Sequence, residues 1–294
     1  MLRPFSTAIV FSAWAAAAQA QTAHESDSVR AGPKALFEWV WGSNAGEKGK
    51  DQSGEEDRLD PDRPHFPEAS TTVSKGRAIL ESGYTFAKKG TSFLSHSYPE
   101  SLLRIGIFAN WFEFRIGQNY LNQRQMVEGT MTNVDGAQDL YVGTKLALTE
   151  QKGVLPAVAV IPQMTLPTGS RAVTAGRILP GLNVDCGWEV IKNFFDIELL
   201  VANNLVKDDM GHTRHEFSTG LTGAFQVTKR LEAFVEWDAF YTFAGAGAVG
   251  PRHYAVGGLA YFITPNFEVD VRAGVGLNHL SNDFLTGVGF AARY

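Results

Sequence analysis

From Lys75 to Tyr294 the chain alternates apolar and polar residues with a period of two, the signature of strands that turn one face to an apolar phase. Within residues 231–241 one face reads Leu231, Ala233, Val235, Trp237, Ala239 and Tyr241, and the other reads Glu232, Phe234, Glu236, Asp238 and Phe240. Residues 267–277 repeat the arrangement, with Phe267, Val269, Val271, Ala273 and Val275 set against Glu268, Asp270, Arg272, Gly274 and Gly276. The last segment sets Phe284, Val288, Phe290 and Tyr294 against Leu285, Gly287, Gly289 and Arg293. Similar faces run through residues 112–116, 140–148, 182–190, 194–201 and 217–227. Residues 155–165 and 254–263 alternate poorly, and their faces cannot be assigned from the sequence.

A soluble sandwich also alternates, so three further features decide the class. The polar faces carry Gly, Ser, Thr and Ala beside their charges and little of the Lys that coats soluble strands. Tight connections near Asn110, Gln151, Lys192, Lys229 and Pro265 alternate with longer polar ones near residues 87–99, 121–138, 167–180, 206–213 and 244–251, and a shorter one near Ser281. Short turns on one side and long loops on the other describe an outer-membrane barrel. The clear apolar faces hold no charge, as lipid requires, since a Lys or Arg at the bilayer midplane costs about 2–4 kcal/mol. The expected fold is all-β: a transmembrane antiparallel up-and-down barrel of about twelve strands over residues 75–294, closed so that no backbone group meets lipid unpaired. An even count puts both ends on the periplasmic side. The last strand ends on the aromatic Tyr294, a signal for the barrel-assembly machinery. Trp111, Phe112, Phe194, Phe195, Phe267 and Phe290 fall near turns and strand ends, where an interfacial girdle is expected.

The beginning of the chain reads differently. Arg3, the apolar stretch 5–18 and Ala18-Gln19-Ala20 form a secretory signal cleaved after Ala20, and the stretch is shorter than the roughly 18 residues of a spanning helix. Residues 21–74 are rich in Gly, Ser, Asp, Glu, Lys and Pro, a composition that buries too little apolar area to offset ordering entropy, so a polar, largely disordered periplasmic leader is expected. An aromatic patch, Leu36, Phe37, Trp39 and Trp41, interrupts it. It either docks on a partner or inside the barrel, or is a short amphipathic stretch with no role.

Chemistry then belongs to the lumen. By parity the inward acids are Glu81, Glu113, Asp185, Glu189, Asp196, Glu198, Glu216, Glu232, Glu236, Asp238, Glu268 and Asp270, and the inward bases are Arg77, Arg104, Arg115, Lys145, Arg272 and Arg293. Twelve acids against six bases favour cations and polar neutral solutes in an open lumen. Glu113, Asp196, Glu232 and Glu268 sit just past tight turns and form either a carboxylate ring near the periplasmic mouth or, as buried charges usually do, pairs with interior bases such as Arg104 or Arg272. Phe234 and Phe240 line a greasy path or fill the lumen.

Other chemistries are poorly supported. The mature chain carries 25 basic against 31 acidic residues, which excludes a nucleic-acid partner. One cysteine, Cys186, excludes a disulfide scaffold and a cysteine-based cluster, and no metal or other cofactor is expected. Asp208, Asp209, His212 and His215 read as a polar surface loop, because a spacing of three on an extended loop is a weak metal signal. His279 and Ser281, two apart, share a strand face that looks at lipid near the outer rim. A base near a hydroxyl can activate a nucleophile, so a barrel-wall lipid hydrolase is the enzymatic alternative; a closed structural barrel is the other.

A resemblance sharpens this picture. Asp62-Arg63-Pro64-His65-Phe66-Pro67-Glu68, followed by Val73, Gly76 and Leu80-Glu81-Ser82-Gly83-Tyr84, resembles the opening of a bacterial outer-membrane transporter family labelled for the MetA pathway of phenol degradation. Tyr98-Pro99-Glu100, Leu102-Leu103-Arg104-Ile105-Gly106, Leu166-Pro167-Thr168-Gly169-Ser170, Lys229-Arg230-Leu231-Glu232 and Asn266-Phe267-Glu268 are similar to its later blocks. The family pattern often has Asp where this chain has His65 and Ser where it has Ala69. The resemblance implies an outer-membrane channel for uptake of aromatic or hydrophobic compounds. Glu113, Arg115, Arg104, Asp196, Glu198, Glu232, Glu236, Asp238, Glu268, Asp270 and Arg272 are the residues expected to line its pore.

Overall fold

The computed structural model describes residues 33–41, 58–127, 129–208, 211–243 and 249–294; the expected signal peptide and cleavage site lie outside them. Helix α1 spans Leu36–Trp41. The strands are β1 (Ala78–Lys89), β2 (Phe93–Gly106), β3 (Phe112–Val127), β4 (Thr130–Ala137), β5 (Leu140–Thr149), β6 (Ala157–Leu166), β7 (Leu179–Ile191), β8 (Phe195–Lys207), β9 (Thr213–Thr228), β10 (Leu231–Phe243), β11 (Val249–Thr264), β12 (Phe267–Gly276) and β13 (Phe284–Arg293). Each pairs antiparallel with its neighbours, and β1 closes on β13 from Ile79↔Arg293 to Lys88↔Phe284. The ring holds the twelve expected strands. The thirteenth, β4, continues the line of β5 along the far half of β3: β3 pairs with β5 from Phe112 to Gly117 and with β4 from Tyr120 onward.

Two connections differ from expectation. Residues 87–99 form no long loop, because β1 and β2 pair up to a three-residue turn. Residues 121–138 form the β3–β4 hairpin. Both stretches are polar on both faces and therefore gave no two-phase pattern, yet backbone pairing continues through them.

The outside is apolar and the inside charged. Val235, Leu221, Val271, Val275 and Val288 are exposed, while Glu81, Arg104, Glu113, Arg115, Lys145, Glu236 and Glu268 are buried. Such an inversion is stable only when hydrocarbon wets the outer surface. Among the described residues no helix is long and apolar enough to cross a membrane; the strands do so. The faces left open by the sequence now resolve. Ala159 and Ile161 of β6 and Tyr254, Val256, Ala260 and Phe262 of β11 are buried inside, whereas Leu259, Tyr261 and Ile263 face out.

From Arg58 on, the expected flexible leader is instead ordered and packed within the barrel. Leu59 and Val73 join Ile79, Ala260, Phe262 and Ala291 in one buried cluster, and the Leu59 N–H donates to the Pro265 carbonyl at 2.8 Å. Composition alone undervalued this stretch because the barrel supplies its core. Helix α1 lies against β5, where Glu38 pairs with Lys152 at 3.4 Å.

Candidate functional site

Residues 58–77 cross the lumen as irregular backbone, and buried N–H groups there need acceptors that no strand provides. Pro64 and Pro67 remove two such donors outright. The wall carboxylates take up others: Glu81 accepts from the Asp62 and Arg63 amides at 3.0 and 3.1 Å and Glu236 from Phe66 at 3.0 Å. Asp185 accepts from Glu68 at 3.2 Å and Glu113 from Val73 at 2.9 Å.

Side chains complete the attachment. Asp62 meets Lys145 at 2.7 Å, Arg115 at 2.8 Å and Arg104 at 3.2 Å. Burial alone would raise its pKa, but these three cations outweigh that and hold the carboxyl well below the usual range. Arg104 also binds Glu113 at 2.8 Å and Glu81 at 3.0 Å, and Arg115 reaches Glu68 at 3.1 Å. Arg63 grips Asp270 with Nε and Nη2 at 3.1 and 3.2 Å and Glu100 with Nη1 at 3.3 Å. Gly83 and Gly289, paired across β1 and β13, leave room for that guanidinium: a β-carbon on either would lie 2.5 Å from Arg63 Cζ. Arg58 pairs with Glu232 at 3.2 Å and sits 3.9 Å over the Phe262 ring. The Phe66 ring lies 4.9 Å from that of Phe240.

His65 lies 3.3 Å from Glu198, with its ring 4.4 Å from Phe234. Burial disfavours the charged ring, but the Glu198 contact and the charges of Glu236 and Glu232 prevail and raise the pKa to about 9. A raised folded value stabilises fully below the unfolded pKa near 6.5 and is lost as pH climbs through about 9. The melting temperature of the detergent-solubilised protein is therefore expected to fall by a few degrees more between pH 7.5 and 9.5 than that of His65→Gln. Parallel curves would contradict the pair.

Of the eleven residues expected to line a pore, eight touch the crossing segment or its ion network. Glu113, Arg104 and Arg115 form the network with Asp62, Asp270 holds Arg63, Glu236 caps Phe66, Glu198 holds His65 and Glu232 holds Arg58. Arg272 donates to the Pro64 carbonyl at 2.8 Å and to Thr85 at 3.0 Å. It pairs with backbone rather than with an acid, contrary to expectation. Asp196, Asp238 and Glu268 belong to the same inner face, and among the described residues neither Glu268 carboxylate oxygen finds a hydrogen-bond partner. Glu113 and Glu232 are thus tied to cations rather than standing free in a ring. Sequence reasoning missed Asp62, Arg63, His65 and Glu68, which it placed in the leader. Their signal was the compact charged, proline-bracketed motif itself, together with glycines on the inward faces.

The lipid-hydrolase geometry is not assembled. His279 and Ser281 lie in the turn between β12 and β13, not on a strand. His279 is exposed, whereas the buried Ser281 hydroxyl lies 2.8 Å from both the His253 carbonyl and Asn278 Oδ1. His212 lies 3.5 Å from Asp208, and His215 turns to Asn203 at 3.0 Å; Asp209 is outside the described residues. Among the described residues no three His, Cys, Asp or Glu side chains converge on a metal position.

The family model described as "Putative MetA-pathway of phenol degradation" matches residues 61–294. The chain belongs to this family. The match begins inside the crossing segment, so the motif that enters the lumen is part of the family's own pattern. Among solved structures the chain is similar to the COG4313 outer membrane channel from Pseudomonas putida F1, with 11% identity, a TM-score of 0.64, and coverage of 79% of this chain and 100% of that one. It is also similar to the NanC porin (10% identity, TM-score 0.47, 73% and 98% covered) and to the translocator domain of the autotransporter NalP from Neisseria meningitidis (12% identity, TM-score 0.48, 74% and 88% covered). Comparison with curated proteins finds no match.

Proposed function

We propose that this protein is a passive outer-membrane channel for small solutes, delivered after cleavage of residues 1–20 and assembled through the strand that ends at Tyr294. Residues 58–77 throttle its lumen. The observation that carries this reading is a closed ring whose interior keeps a cavity on each side of the crossing segment. One, of about 530 Å³, is lined by Glu68, Arg115, Gln118, Tyr141 and Lys207 toward the long-loop end. The other, of about 630 Å³, is lined by Arg58, Asp60, Thr72, Asn110, Gln151 and Arg293 at the tight-turn end. A twelve-stranded ring lies between barrels filled by their own side chains and wide aqueous porins, and its charged inner face suits polar passage. The family's description and the fold shared with an outer membrane channel from Pseudomonas putida support the same reading. The phenol in that description makes phenols and aromatic acids the first solutes to test.

Single-channel recording of the full chain in planar bilayers is the test. A small, noisy conductance is expected from the wild type and a larger one from variants that loosen residues 58–77. Silence at all voltages in both would overturn the channel in favour of a closed structural barrel.

A further inference from the structure

The two consecutive side chains at the centre of the crossing segment enter sockets of opposite charge. Arg104, Arg115 and Lys145, on β2, β3 and β5, converge on the Asp62 carboxylate at 2.7–3.2 Å. Asp270 and Glu100, on β12 and β2, receive the Arg63 guanidinium, two-pronged on Asp270, above a floor opened by Gly83 and Gly289. Glu100 is itself fixed by the Thr85 hydroxyl at 2.9 Å. Every one of these socket residues belongs to the barrel wall; only the occupant belongs to the segment. A bidentate carboxylate with a flat glycine floor suits a planar guanidinium, and a cluster of three buried cations calls for an anion, here a carboxylate.

One residue of the cationic socket, Arg115, borders a cavity. The long-loop cavity of about 530 Å³ ends on Arg115 and Glu68, and its size falls within the range of small-molecule sites. A solute entering from that end meets Arg115 first, where Glu68 is its outer counter-ion.

We propose that the lumen is a two-socket receptor for a small solute bearing both a carboxylate and a guanidinium, and that Asp62-Arg63 is its tethered occupant. The inference rests on the channel reading and adds its substrate class: the solute competes with the segment, takes both sockets and loosens the throttle as it passes. A tethered occupant acts at an effective concentration of millimolar order, so competition requires free solute in that range.

The test is single-channel recording of the full chain with L-arginine, sodium acetate, guanidinium chloride or phenol added at equal millimolar concentration to the long-loop side. Arginine is expected to raise the conductance of the wild type, and each of the other three to leave it near baseline. In Arg63→Gln, which empties one socket, the half-maximal arginine concentration is expected to fall at least about tenfold, the factor for a single charge-assisted contact, because the occupant loses its hold on both Asp270 and Glu100. In Asp270→Asn, which disables that socket for any guanidinium, the arginine response is expected to vanish. An equal response to acetate or guanidinium alone would overturn the two-socket inference, as would a response to phenol only, or conduction that arginine does not alter. The four wild-type arms decide this even if a variant fails to fold. Silence of both wild type and Arg63→Gln under every condition would remove the channel reading and the inference with it.

Discussion

Asp62→Ala is expected to lower the stability of the folded barrel by about 3–5 kcal/mol, the usual cost of removing one partner from a buried ion pair, and to raise its conductance. The Asp62 carboxylate is the shared counter-ion of Lys145, Arg115 and Arg104, and it also accepts the Ala69 amide at 3.1 Å. All three cations are buried. In the alanine variant Arg104 and Arg115 keep Glu113, Glu81 and Glu68, but Lys145 is left with the Ala69 carbonyl at 2.7 Å and Glu68 at 3.9 Å, so the segment's central attachment weakens. Asp62→Asn keeps an acceptor for Ala69 but not the charge, so it is expected to fall between wild type and alanine. Denaturant titration in detergent, read beside bilayer current, checks both effects; a stability within about 1 kcal/mol of wild type would show that the three cations find other partners. The pH dependence has a definite sign. A carboxyl held below its ordinary value stabilises above the unfolded pKa near 3.8 and is lost only as pH falls through the lower folded value. The difference between wild type and Asp62→Asn should therefore stay constant from neutral pH down to about 5 and shrink only in stronger acid.

Gly106→Val is the second large expected effect. Gly106 ends β2 directly beneath the exit of the segment: its amide donates to the Arg77 carbonyl at 3.0 Å, and its carbonyl accepts from Gly76 at 2.8 Å. A β-carbon there would overlap the carbonyl oxygens of both Val73 and Ser74. Both obstacles are backbone, so no rotamer change relieves them, and the chain between Thr72 and Arg77 has to shift. Overpacking of this kind costs about 1–3 kcal/mol, and here the strain falls on the segment rather than on the ring. Trypsin is expected to cut the variant after Arg58 while leaving the wild type intact at that bond. Equal resistance of the two proteins would show that the segment tolerates displacement at its exit without leaving the lumen.

The charge count illustrates how far residues alone can be read. Twelve inward acids against six bases were counted on the wall alone, whereas Arg58, Arg63 and His65 approach Glu232, Asp270 and Glu198 from the crossing segment, and its Asp62 and Glu68 approach Arg104, Lys145 and Arg115. An electrostatic reading of the wall without its occupant therefore misses how charges of both signs are neutralised inside the lumen. The inward glycines had a similar fate. In the sequence Gly83, Gly106 and Gly289 were only small residues on a polar face, whereas in the structure they mark where the segment comes within van der Waals range of the wall.

Strand identity, barrel closure and the lipid-facing surface were determined by the amino-acid order itself wherever the two sides of a strand face different phases. In β10, β12 and β13 an apolar outer face alternates with charge or glycine, and that contrast survives in one dimension. β6 and β11 hid their faces because their inner sides are apolar too: Phe262 and Ala260 pack on Leu59, and Tyr254 and Val256 on Phe234. Only the tertiary structure decided that residues 58–74 are ordered and where they lie. Their composition promised too little burial to fold, and they fold because partners far along the chain, such as Asp270 for Arg63 across 207 positions, present charges and acceptors that no local pattern encodes.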